Sequence, residues 1–141
     1  MNVEIKQVDG LTLVGKADSG HWVAMDGSEK VGGNDAGTRP MELLLMSLGG
    51  CTGMDVISIL QKKRTPFTKV NMRLEAERAN EHPKVFTKIK ITFLVYGDKD
   101  KIKTADVERA IELSSTKYCS ASTMLKKTAE VSYHYEVIDT K

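Results

Sequence analysis

Residues 38–64 read TRPMELLLMSLGGCTGMDVISILQKKR, and the fold turns on how this stretch is read. Thr38 suits an N-cap, Pro40 suits the first turn, and Glu42 suits the positive end of a helix dipole. Lys62, Lys63 and Arg64 suit the opposite end. Between these signals Leu43, Leu44, Leu45, Met46, Leu48, Met54, Val56, Ile57, Ile59 and Leu60 go all the way round the helix instead of forming one stripe. Such a helix is expected at the centre of a fold, with protein over most of its circumference. At about 100° per residue, Ser47, Cys51, Asp55 and Ser58 fall on one line, a polar seam with a cysteine in its middle.

The flanks read mostly as strands. Val3 to Val8 alternates, and Asp9-Gly10 is a dipeptide favoured in type I′ hairpins. Leu11 to Lys16 is then expected to run back antiparallel, and His21 to Asp26 to form a third strand ending at a second Asp-Gly pair. Ser28 to Gly37 has no periodicity and reads as a loop. Beyond Pro66, Lys69 to Arg78 and Lys84 to Tyr96 alternate as two strands of a long hairpin turning at Ala79 to Pro83. Thr104 is expected to cap a helix reaching about Lys117, with Val107, Ala110, Ile111 and Ser114 at helical spacing. A short helix at about Ser122 to Lys127 and a last strand, Glu130 to Ile138, complete the order βββ-α-ββ-α-α-β. Strands grouped together, not alternating with helices, argue for an α+β fold with antiparallel sheet.

The whole chain of 141 residues is read as a single domain, 1–141. A net charge of +2 with both signs interspersed gives no basic patch, so nucleic acid is set aside as a partner. The N-terminus lacks a signal-peptide pattern, and the longest apolar stretch reads as too short and too interrupted to span a bilayer. A cytoplasmic protein without membrane association is expected. His21, His82 and His134 show no ligand spacing with either cysteine, so neither a metal nor a cofactor is expected. Cys51 and Cys119 are too few for a disulfide framework; they read either as two buried thiols or as a redox couple.

The run RPMELLLMSLGGCTGMDVISILQKKR, with KYCSASTML downstream and the closing YHYEV strand, resembles the OsmC/Ohr family of osmotically induced and organic hydroperoxide resistance proteins. The resemblance extends over nearly the whole chain. It implies an OsmC-like fold, with antiparallel sheets around long central helices, in an intertwined homodimer. It also implies a peroxidase: a first cysteine attacks an organic hydroperoxide or hydrogen peroxide, a second resolves the sulfenic acid as a disulfide, and a dithiol such as a lipoyl protein restores both. Carried over, Cys51 becomes the peroxidatic thiol and Cys119 the resolving thiol.

A peroxidatic thiol must be ionised, and the middle of a helix offers Cys51 few spare donors. Arg39 is the nearest cation at the loop-to-helix junction, and Glu42 can orient it through a carboxylate–guanidinium pair. Glu42 stands about 180° round an ideal helix from Cys51, so the pair needs a kink at Gly49-Gly50, a start of the regular helix beyond Glu42, or service to a partner chain. The arginine that well-studied family members carry in the N-terminal hairpin has no counterpart here, where only Lys16 and His21 offer positive charge. Two other functions stand beside the peroxidase. One is a non-enzymatic dimer holding small apolar ligands; the other is different thiol chemistry, as a redox sensor or an acyl-transfer enzyme.

Overall fold

The computed structural model describes residues 1–141, and the chain divides into two compact units, Met1–Met46 and Ser47–Lys141. In the first unit, β1 (Val3–Asp9), β2 (Thr12–Ala17) and β3 (Val23–Met25) form an antiparallel sheet in the order β1-β2-β3. The β1-β2 turn differs in detail from expectation. Asp9 pairs with Thr12, so the loop residues are Gly10 and Leu11, and only Gly10 has positive φ, at 55°. A type I′ turn needs positive φ at both loop positions; positive φ at the first alone matches type II′. A bulge between Gln7 and Asp9 takes up the resulting shift in register.

Beyond β3 the expected loop is ordered by Asp26, whose side chain is buried. Its carboxylate accepts hydrogen bonds from Thr12 Oγ1 at 2.6 Å and from the backbone N–H groups of Gly27, Asn34 and Ala36 at 2.7, 3.2 and 3.1 Å. One short side chain therefore collects donors from β2 and from both arms of the loop. The loop also contains a 3-10 turn, Glu29–Val31, closed by Gly32 at φ 90°.

Helix α1 spans Pro40–Lys62 without a break. Pro40 is its first residue, so Arg39, not Thr38, occupies the N-cap position. Thr38 is instead drawn into a parallel bridge with Met25. At the other end Arg64 N–H bonds to Gln61 O and Thr65 N–H to Leu60 O, both at 3.0 Å, with Arg64 at φ 57°. These are the two bonds of a Schellman cap, built on an arginine where glycine is usual.

In the second unit, β4 (Phe67–Arg78), β5 (Phe86–Gly97) and β6 (Glu130–Asp139) form a sheet in the order β4-β5-β6. Strands β4 and β5 are antiparallel, but β5 and β6 run parallel, so this sheet is mixed and not purely antiparallel. The connection through α2 (Thr104–Leu113), a π-helical turn (Ser114–Tyr118) and α3 (Ser120–Leu125) is long enough to carry the chain back to the starting end of β5. Thr104 is the first residue of α2; Lys103 precedes it and makes no side-chain cap.

Central strand β5 supplies Ile89, Ile91, Phe93 and Val95 to the core, joined by Leu48, Val56 and Leu60 of α1 and Val107, Ala110 and Ile111 of α2. Gly49 and Gly53 bring α1 onto β4. A Cβ at Gly49 would lie 2.7 Å from Leu74 Cδ1, and one at Gly53 would collide with the end of Met72. By length and composition α1 is long and apolar enough to cross a bilayer, which corrects the reading of this stretch as too short and interrupted. Core helices pass the same test, and here the helix packs onto β4 through Gly49 and Gly53.

Candidate active site

Cys51 sits half-buried on α1, while Cys119 is buried at 1% exposure. The two thiols are near enough for Cys51 to raise the pKa of Cys119, although they are far apart in sequence. Local structure explains the placement of Cys119. The π-helical turn ends at Tyr118, and Cys119 leaves it with extended backbone to become the N-cap of α3. Its N–H bonds to Ser114 O at 2.8 Å, its sulfur accepts from Ser122 N–H at 3.4 Å, and its carbonyl accepts from the hydroxyls of Ser122 and Thr123. A cysteine in this capping role has little freedom to turn away from its neighbour.

Burial is the main influence on the Cys119 thiol and pushes its pKa up. The Ser122 N–H and hydroxyl pull it back down, and the neighbouring Cys51 raises it again; the net direction is upward. Cys119 is therefore held protonated in the resting protein, and the more accessible Cys51 is the thiol of the pair that a solvent-borne oxidant meets first.

The polar seam of α1 takes a form the sequence did not suggest. Asp55 Oδ2 accepts from Ser114 Oγ at 2.9 Å, and Ser114 Oγ lies 2.9 Å from Thr52 Oγ1. Thr52 and Ser114 are both fully buried. Ser114 had read only as one position on the inner face of α2, and Thr52 as nothing in particular. Their value depends on the π-helical turn, and no periodicity argument anticipates that. Lys126 closes the turn from outside, donating to Ser115 O at 2.6 Å with its ammonium 5.2 Å from the centre of the Tyr133 ring.

The other two candidate residues belong to the first unit. Glu42 Oε1 accepts the backbone N–H of Arg39 at 2.9 Å, the reaching-back half of a capping box. The Arg39 guanidinium binds Asp35 at 2.6 Å and donates to Gly37 O at 3.1 Å. Glu42 thus touches Arg39 through the main chain, and Asp35 holds the guanidinium that Glu42 was expected to orient. Lys16 stacks over Trp22, 4.8 Å from the ring centre. No group of three or more His, Cys, Asp and Glu side chains is placed to hold a metal ion.

The fold and the paired thiols together define a small α+β protein built around a two-cysteine centre. A family model described as OsmC-like protein matches residues 32–134, and the chain belongs to that family. It is 43% identical to Protein YhfA of Escherichia coli K12 over 138 residues, covering 98% of each chain. Among solved structures it is similar to a hypothetical protein from Aquifex aeolicus VF5, at 32% identity and TM-score 0.85, covering 99% of this chain and 97% of that one. An organic hydroperoxide resistance protein, OsmC, from Legionella pneumophila has the same fold at 13% identity and TM-score 0.70, covering 96% and 97%.

Proposed function

We propose that this chain is a thiol-dependent peroxidase that reduces organic hydroperoxides, hydrogen peroxide or both. The observation that carries the reading is the pair of adjacent thiols, one accessible and one buried and held protonated. In the first step the Cys51 thiolate attacks the terminal oxygen of the hydroperoxide, forms a sulfenic acid and releases an alcohol, or water from hydrogen peroxide. In the second, the Cys119 sulfur attacks the sulfenic sulfur, a disulfide forms, and the hydroxyl leaves as water with the Cys119 proton. A dithiol, such as a lipoyl protein, then reduces the disulfide by exchange. A cycle that starts from two free thiols suits the reducing cytoplasm.

Because α1 runs unbroken from Pro40, Arg39 is proposed as the cation that favours the Cys51 thiolate of a partner chain, with Glu42 fixing the main chain on which Arg39 sits. The working form is proposed to be a homodimer. Leu44, Met46 and Met54 stand exposed on α1, Met54 at 74%, and a second copy would cover them.

The test is consumption of cumene hydroperoxide in the presence of a dithiol. Cys51→Ser should abolish turnover, and Cys119→Ser should accumulate a sulfenic acid that dimedone traps. A protein that binds apolar ligands at the exposed methionines but shows no thiol-dependent turnover would overturn the reading in favour of a binding dimer. Stoichiometric disulfide formation followed by slow recycling would overturn it in favour of a redox sensor.

A further inference from the structure

Ser114 occupies an unusual position between the two cysteines. Its hydroxyl has one proton, which it gives to Asp55 Oδ2, so the 2.9 Å contact with Thr52 Oγ1 must be made by the threonine donating. Its carbonyl accepts the N–H of Cys119 at 2.8 Å. Thr52 is the residue after Cys51 in α1. An unbroken path of short polar contacts therefore runs from the residue beside one thiol, through Ser114, to the backbone of the residue carrying the other.

Burying two hydroxyls and half-burying a carboxylate is costly unless each finds a partner, and here every one does. The arrangement also has a direction. The carboxylate can only accept while ionised, so it fixes the Ser114 proton and turns the serine lone pair towards Thr52. Remove the carboxylate and Ser114 is free to rotate. The π-helical turn is then left with the Thr52 contact as its side-chain tie to α1, without the carboxylate that fixes its direction.

We infer that Ser114 and Asp55 are positioning residues that hold Cys119 against Cys51 and so set how readily the two thiols form a disulfide. The inference rests on the redox reading of the pair, but not on peroxide as the oxidant. The relevant geometry is narrow, since a disulfide requires Cα atoms about 4.4–6.8 Å apart with a preferred dihedral. A turn that is free to drift lowers the effective concentration of one sulfur at the other.

The experiment is redox equilibration of the full chain in glutathione buffers. Two thiols and one glutathione disulfide are exchanged for the Cys51–Cys119 disulfide and two reduced glutathiones, and the oxidised fraction is read by alkylation and mass spectrometry. Ser114→Ala is expected to lower the equilibrium constant tenfold or more, equivalent to about 30 mV for a two-electron couple. Asp55→Leu, which cannot accept a hydrogen bond, should do the same. Asp55→Asn keeps a carbonyl acceptor and should stay within threefold of the parent. If Ser114→Ala does not fold, the two Asp55 variants decide the matter by themselves.

Folded variants whose constants all match the parent within twofold would overturn the inference, as would a parent protein that forms no disulfide under these buffers. The peroxidase reading fails separately. Shifted constants without hydroperoxide turnover would remove the peroxidase and leave the positioning role standing, while unshifted constants with turnover would do the reverse.

Discussion

Cys51 and Cys119 are neighbours close enough for one thiol to raise the pKa of the other, yet Cys51 is only partly buried and Cys119 is 1% exposed. In the proposed peroxidase cycle this asymmetry would divide the labour between the two thiols. The buried thiol is a poor first nucleophile, because burial and its neighbour keep it protonated. It becomes useful only once an electrophilic sulfur has formed beside it.

A pH dependence follows from that difference. The Cys119 pKa is raised above the ordinary thiol value of about 8.5, so its thiolate fraction stays small through neutral pH and still climbs above about pH 9. Resolution of the Cys51 sulfenic acid is expected to accelerate about tenfold per pH unit across the neutral range. Stopped-flow measurement of the sulfenic acid lifetime checks it, and a plateau below pH 8 would contradict the expectation. The same shift makes a contribution to folding stability that is complete below the unfolded thiol pKa and is lost as pH rises through the folded one.

Packing of α1 on β4 gives a prediction of sign. Gly53→Ala adds a methyl where the flexible end of half-buried Met72 sits, so the thioether must swing aside and the variant should lose up to about 1 kcal/mol in chemical denaturation. With Met72→Ala in the background the space is free, and the same substitution should become neutral or gain up to about 1 kcal/mol from helix propensity. Additive costs in the double-mutant cycle would mean that the glycine is needed for another reason.

The start of α1 offers a smaller and more local test. Glu42→Ala removes the acceptor of the Arg39 N–H and should cost about 1 kcal/mol, while Glu42→Gln keeps a carbonyl oxygen there and should recover most of it. Denaturant midpoints for the two variants decide it. Equal losses would show that the carboxylate charge at the helix start matters more than the hydrogen bond.

How much of this was legible beforehand depends on whether the cause is local. Alternation in Lys69 to Arg78 and the apolar girdle of α1 are set by neighbours in sequence, and both elements appear close to where they were expected. The parallel β5-β6 pairing was not legible, because two successive helices leave the direction of the returning strand open. At the site, each cysteine could be picked out individually from the resemblance. Ser114 and Thr52 could not, since their roles depend on a π-helical turn that shifts the register of α2 just before Cys119. The carboxylate–guanidinium pair expected of Glu42 and Arg39 does not form: Glu42 accepts from the Arg39 main chain and Asp35 takes the guanidinium, partners that residue types do not disclose.

The first unit has its own acid-sensitive point at Asp26. The Thr12 hydroxyl is the main influence holding its carboxyl below the usual carboxylate pKa, burial opposes it, and the N–H groups of Ala36, Gly27 and Asn34 add to the lowering. A depressed folded-state pKa means a stabilising contribution that is present above the unfolded value, about 3.9, and is lost as pH falls through the folded one. Thermal melts from pH 5 down to pH 2 should therefore show the parent losing Tm more steeply than Asp26→Asn, which has no carboxylate to titrate. At pH 7 the order reverses in level. The amide can accept with one atom only and brings two donors into a site already crowded with N–H groups, so Asp26→Asn should melt about 5 °C or more below the parent. Hydrogen exchange should place that loss at the amides of Gly27, Asn34 and Ala36, which are the groups left short of an acceptor. Parallel pH profiles for parent and variant would show that the carboxylate contributes nothing through its charge.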